Sequence, residues 1–157
     1  MAIDADTELS AAELSKLRDI AGTMIPENGR LGMPGAGDPA ILADIVKSIG
    51  RDLPLVREAL KAIAAKSNDR FAELDVDQRE ALIGRYYTEG GAPAAMLGRI
   101  ILGAYYRDDR VLLALGMEAR APFPKGYVLE QGDWSLLEAV RHRKPFWRDD
   151  RASGGER

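Results

Sequence analysis

Along most of this chain a helix-start signal, an apolar stripe at three- to four-residue spacing and a glycine or proline stop follow one another. That punctuation confines the fold to short α-helices. Ser10 and Glu13 stand at the spacing of a capping box, S-x-x-E. Behind them Leu14, Leu17, Ile20, Ala21 and Met24 recur on one helical face, and Pro26 ends the run. Asp38-Pro39 reads as an N-cap followed by proline at the first helical position, and Ile41, Leu42, Ile45, Val46 and Ile49 form the stripe behind it. Pro54 starts a third helix with Leu55, Val56, Leu60 and Ile63 facing inward. Asp75 and Gln78 cap a fourth, which carries Leu82, Ile83, Tyr86 and Tyr87 and stops at Gly90-Gly91. Pro93 opens a fifth with Met96, Leu97, Ile100, Ile101, Ala104 and Tyr105. A short sixth element over residues 109–115 stops at Gly116, placed as a C′ glycine.

No alternating apolar pattern long enough for a strand interrupts this series, and no internal repeat is evident. The expected fold is therefore all-α: a small bundle of five or six short helices with a long irregular C-terminal extension. We divide the chain, as a single domain overall, into a helical bundle over residues 1–116, an extended strap over 117–148 that holds one short helix capped by Asp133, and a disordered polar tail over 149–157. At 157 residues the chain is long enough to bury a real core.

Charge and residue inventory exclude several chemistries. With 22 basic and 25 acidic residues the chain has no general attraction to nucleic acid or to an anionic membrane. It contains no cysteine, so disulfides, thiolate metal sites and cysteine nucleophiles are absent. The longest nearly apolar run, MLGRIILGAYY, is broken by Arg99 and too short for a membrane span. The first residues show neither a secretory nor a twin-arginine signal, so the expected location is the cytoplasm. The alternative is the periplasm, if the chain is exported with a partner or loses a signal.

His142 is the only histidine. A Ser-His-Asp triad would have to use it, yet it stands in RHRK beside three cations that oppose the imidazolium such a triad forms. The glycine-rich segment GRLGMPGAGD follows a helix and is not followed by the Gly-Lys-Ser/Thr of a phosphate-binding loop. It reads as a flexible connection between helices. Catalytic, cofactor-binding and metal-ligating residues are therefore entered as none. Phe123, Tyr127, Trp134, Phe146 and Trp147 fall where little regular structure can bury them. Either they anchor a partner, as aromatic and arginine residues do in interface cores, or the strap packs back over its own bundle.

Four blocks, in order, carry a resemblance over most of the chain, from about Leu14 to Trp147. They are LRDIAGTMIPENG…GMPGAGDPAIL, RFAELDVDQREALI, YYRDDRVLLALG and the PFPKGY strap, with a similar ending in DWSLLEAVRHRKPFWR. These resemble the gluconate 2-dehydrogenase subunit 3 family, the small γ-type subunits of GMC-type FAD-dependent dehydrogenases. The resemblance implies a non-catalytic subunit that binds and stabilises a flavoprotein large subunit acting on sugars, polyols or other alcohols. FAD is then held by that partner and not by this chain. The expected partner contacts are Tyr106, Arg107, Arg110, Phe123, Tyr127, Trp134 and Trp147. Two other readings stand beside it: an assembly or export chaperone for the flavoprotein, and a stand-alone enzyme built on Asp38, Glu27 and the glycine loop.

Overall fold

In the computed structural model the described residues are 8–119, 131–144 and 146. The expected contacts Phe123, Tyr127 and Trp147, and the tail over 149–157, lie outside them. The contacts fall into two units, Met1–Arg120 and Ala121–Arg157, so the division comes just beyond Gly116. Among the described residues every regular element is helical, and an isolated bridge between Asn28 and Met33 is the sole β-type pairing. The all-α reading holds.

The first unit contains α1 (Ala11–Met24), α2 (Pro39–Ile49), α3 (Leu53–Lys66), α4 (Val76–Glu89), α5 (Ala92–Tyr105) and α6 (Asp109–Ala114), with 3-10 turns at Gly50–Asp52 and Phe71–Glu73. Local signals set the starts: side-chain caps at α1, α2, α4 and α6, and proline in the first turn of α3 and α5. Ser10 Oγ accepts from the Glu13 amide at 3.2 Å while Glu13 Oε2 accepts from the Ser10 amide at 2.8 Å. Asp75 and Gln78 make the same exchange at 2.8 and 3.2 Å. Asp38 Oδ1 accepts from the Ala40 amide at 2.9 Å, with Pro39 behind it. Such caps satisfy amides that have no partner inside the helix, worth about 1 kcal/mol each.

The ends are equally local. Gly116 has φ +74°, its amide donates to Leu113 O at 3.0 Å, and the Met117 amide donates to Leu112 O at 2.9 Å. This is a Schellman termination. The same pair of bonds ends α3, from Asn68 to Ala65 O at 3.3 Å and from Asp69 to Ala64 O at 2.8 Å, but with Asn68 in the position glycine usually takes.

Helix α5 is the centre of the bundle, with α2 and α3 packed on it, and α1 lies against α4 and α3. Its sequence explains this position. Ala94, Leu97, Gly98, Ile100, Ile101, Ala104 and Tyr105 are all buried, a broader stripe than a helix with one covered face carries. On α3 the buried set is Leu53, Val56, Ala59, Leu60 and Ile63, so Leu53 and Ala59 face the core and the expected Leu55 is half-buried. Tyr87 crosses from α4 onto Gly98, where a Cβ would stand 3.2 Å from its ring, and its hydroxyl reaches Met24 Sδ at 3.4 Å. Burial pushes the Tyr87 phenol up to about 12.

The glycine-rich segment differs from the expected flexible connection. Asn28 and Met33 exchange two backbone hydrogen bonds of 2.9 and 3.0 Å, and the Ala36 amide donates to Ile25 O at 2.9 Å. A Cβ on Gly35 would sit 2.9 Å from Glu27 N, and one on Gly37 would sit 3.2 Å from Arg18 O. The glycines allow the loop to lie directly on the end of α1, so the loop is held in place rather than free.

The described part of the second unit is a 3-10 turn, Trp134–Leu137, running into α7, Glu138–Arg141. Asp133 caps it through the Ser135 amide at 3.0 Å. No helix among the described residues is long and apolar enough to cross a membrane.

Candidate partner interface

The last turn of α5 separates the two tyrosines of YYRDDRV. Adjacent helical residues point about 100° apart, so only one of the pair can enter the core. Tyr105 is buried and its hydroxyl donates to Pro34 O at 3.0 Å, which ties the glycine loop to α5. Tyr106 stands edge-on to it, with ring centroids 5.3 Å apart, and remains 52% exposed.

Beyond it two arginines are engaged within the chain. Arg107 Nη2 donates to Ser48 Oγ at 2.7 Å and to Asp44 Oδ2 at 3.4 Å, both on α2. Arg110 holds two helix caps at once. Its Nη2 and Nη1 donate to the two oxygens of Asp38 at 2.8 and 3.2 Å, and its Nε and Nη2 donate to those of Asp108 at 3.0 and 2.9 Å. Asp38 caps α2 and Asp108 caps α6, so one guanidinium fastens the starts of two helices together. Hydrogen bonding from Arg110 holds both carboxyls below the usual aspartate range, and the Arg110 guanidinium is raised in turn.

This clasp fixes the attitude of α6, a helix of six residues with one buried member, Val111. Leu112 is half-buried, and the other apolar residues of α6 and its end are exposed. Leu113 is 62% exposed, and Leu115 and Met117, on the Schellman turn, are about half exposed. Leu102, one turn before Tyr106 on α5, is exposed as well. An apolar surplus on so short a helix makes this end of the first unit a candidate contact surface. The sequence carries the signal in VLLALGM: three consecutive large aliphatics in a six-residue helix cannot share one face.

Of the seven expected contacts, the structure thus brings Tyr106, Arg107 and Arg110 to the end of the first unit. Tyr106 is presented outward, while both arginines already have partners within the chain. Trp134 belongs to the second unit, where it is 62% exposed, and Leu136, Val140 and Phe146 are exposed too. His142 follows α7 in the same unit and is exposed.

An open cleft of about 740 Å³ lies between the glycine loop and Arg110, bordered by Glu27, Met33, Pro34 and Asp38. It contains the two acids of the stand-alone-enzyme reading. Asp38 Oδ1 accepts from the Ala40 and Ile41 amides as well as from Arg110, and Oδ2 from Arg110. A carboxylate saturated in this way, with its affinity for a proton lowered, is a poor general base. Among the described residues no group of three or more His, Asp or Glu side chains is arranged to hold a metal ion. No family model, no curated protein and no solved structure matches the chain.

Proposed function

We propose that this chain is a non-catalytic small subunit that docks on, and stabilises, the FAD-bearing large subunit of a GMC-type dehydrogenase acting on sugars, polyols or other alcohols. The observation that carries the docking role is the set of exposed apolar residues Leu102 and Tyr106 at the end of α5 and Leu113, Leu115 and Met117 at the end of α6, a helix that the Arg110 clasp holds in one attitude. The class of partner comes from the resemblance of the residue blocks to the small subunits of such enzymes. In this reading the clasped arginines shape the surface and the aliphatic and tyrosine side chains supply its contact area. Clustered apolar anchors of this kind dominate interface energetics, and truncating one costs 1–2 kcal/mol or more.

The test is co-expression of the full chain with a GMC-type flavoprotein large subunit, starting with any encoded beside it, followed by affinity capture and size-exclusion chromatography. The expected result is a persistent stoichiometric complex. The variant Leu113→Glu, which puts a charge on the most exposed of these residues, should weaken it at least a hundredfold while leaving the far-ultraviolet circular dichroism unchanged. Transient association during assembly only would favour a chaperone. Absence of any association, or full binding by Leu113→Glu together with Met117→Glu, would overturn the docking surface.

A further inference from the structure

The chain holds two asparagines, Asn28 and Asn68, and the fold treats them oppositely. Asn28 is exposed in the glycine loop and is followed by Gly29, itself exposed. Its main chain is fixed: the Asn28 amide donates to Met33 O at 2.9 Å, and Asn28 O accepts from the Leu31 and Met33 amides at 3.1 and 3.0 Å. Its side chain is fixed as well, because Asn28 Oδ1 accepts from the Leu31 amide at 3.2 Å. Between these anchors the Gly29 amide donates no hydrogen bond among the described residues, and a Cβ at Gly29 would meet nothing within 4 Å.

That arrangement supplies the parts of an intramolecular acyl transfer. Attack of the Gly29 nitrogen on Asn28 Cγ closes a five-membered succinimide ring. The nitrogen reacts after losing its proton, and the Gly29 amide has no hydrogen bond to surrender first. Negative charge then develops on Oδ1, where the Leu31 N–H already points, the part played by an oxyanion-hole donor. Glycine also leaves the approach unscreened by a Cβ. Asn68 has the opposite surroundings. The amide that follows it, that of Asp69, is bonded to Ala64 O at 2.8 Å. Asp69 also places a Cβ and a carboxylate beside that nitrogen, and a negative charge opposes loss of the amide proton.

We infer that Asn28 is a site of non-enzymatic modification, at which water converts the asparagine to isoaspartate or aspartate through a succinimide formed with Gly29. The Gly29 nitrogen loses its proton to solvent and bonds to Asn28 Cγ. The Cγ–Nδ2 bond breaks, and Nδ2 takes up a proton and leaves as ammonia. Water then opens the ring. Attack at Cγ breaks its bond to the Gly29 nitrogen and gives aspartate. Attack at the main-chain carbonyl carbon breaks the other bond to that nitrogen and gives isoaspartate. One water is consumed and one ammonia released, with no oxidant or reductant. Aspartate keeps the main chain as it was. Isoaspartate routes it through Cβ and Cγ, so the carbonyl that accepts from the Leu31 and Met33 amides becomes a free carboxylate on a side branch. The loop braced by that pairing carries Pro34, which receives the Tyr105 hydroxyl, and Asp38, which Arg110 clasps, so the change bears on the loop's ties to α5 and α6.

The experiment incubates the full folded chain at neutral and at mildly alkaline pH, with peptide mapping by mass spectrometry and labelling by an isoaspartate-specific methyltransferase. Asn28 should be converted to both products, faster at the higher pH because the nucleophile is the deprotonated amide, while Asn68 stays intact. Gly29→Ala, whose added Cβ meets no neighbour, should keep the fold and slow conversion roughly tenfold by crowding the ring closure. The isoaspartate form, isolated by chromatography, should melt roughly 5–10 °C below the parent, and Asn28→Asp close to the parent, because only the former loses the pairing with Met33. An Asn28 that stays intact in the folded chain, or is converted no faster than Asn68, overturns the site. Equal rates in the parent and Gly29→Ala overturn the assignment of the nucleophile. An isoaspartate form with the parent Tm overturns the effect on the loop.

Discussion

Substituting Gly35 by alanine tests whether the glycine-rich loop is a structural element of the bundle. The added Cβ would lie 2.9 Å from Glu27 N, 3.2 Å from Ile25 O and 3.3 Å from Pro26 C, all backbone atoms. Contacts this short do not persist, so either the loop or the end of α1 must shift by several tenths of an ångström. Neither shifts freely. The Ala36 amide is bonded to Ile25 O at 2.9 Å, the Asp38 amide to Gly35 O at 3.0 Å, and Pro34 O receives the Tyr105 hydroxyl at 3.0 Å. Overpacking against such a framework costs about 1–3 kcal/mol. For a unit of this size that lowers Tm by roughly 5–15 °C. Gly29, in the same loop, has nothing within 4 Å of its Cβ position and is the matched control. Gly29→Ala should leave Tm unchanged or raise it slightly, because alanine restricts the unfolded chain. Both variants are measured by thermal unfolding followed at 222 nm. Equal Tm values for the two would refute the close-approach account and restore the picture of a loose connection.

Two further outcomes follow from the same framework. Asp38 and Asp108 have proton affinities held below their ordinary value of 3.8 by Arg110, so their ionised forms stabilise the fold above the unfolded pKa, and this stabilisation is lost as pH falls through the depressed folded values. Arg110→Met should therefore lower stability at neutral pH and make the decline below about pH 4 shallower than in the parent, as read by urea titrations across that range; parallel pH profiles would count against the clasp. Ending the chain after Arg120 should leave a folded first unit with a Tm within a few degrees of the full chain, since among the described residues every core residue precedes that point. A cut directly after Gly116 should behave worse, because it removes the Met117 amide that closes α6.

The parts of the fold legible in the sequence are those whose physics is local. Capping boxes at Ser10–Glu13 and Asp75–Gln78, the Asp38-Pro39 start and the Gly116 stop each involve residues within a few positions of one another, and all appear where their spacing puts them. The outward turn of Tyr106 is local too, since it follows from helical geometry once Tyr105 is inside. Illegible were features created when distant segments meet. The Phe71–Glu73 turn exists because Phe71 is buried, with Arg79 over its ring at 5.8 Å, and no local pattern announces it. Gly35 and Gly37 read as loosening residues until their surroundings are known; against the backbone of α1 their lack of a side chain is what permits contact.

The same distinction sorts the candidate site. Arg107 and Arg110 look like free interface arginines in one dimension, because Asp44, Ser48 and Asp38 are far away along the chain. The fold brings these groups together and converts both arginines into internal ties. The aliphatic residues of VLLALGM carry a signal in the sequence only once the helix is known to be short, because the decisive quantity is how much apolar area six residues can hide. With Val111 as the one buried member, Leu113, Leu115 and Met117 are left over. A chain that exposes them in isolation faces association or precipitation, and the cost is removed when a partner covers them. The strength of that argument rests on α6 having a fixed attitude. A rigid surface loses little freedom on binding, whereas a mobile one offsets part of what burial contributes. The Arg110 clasp and the Schellman turn hold α6 at its two ends, so the surplus apolar residues are presented in one arrangement before any partner arrives.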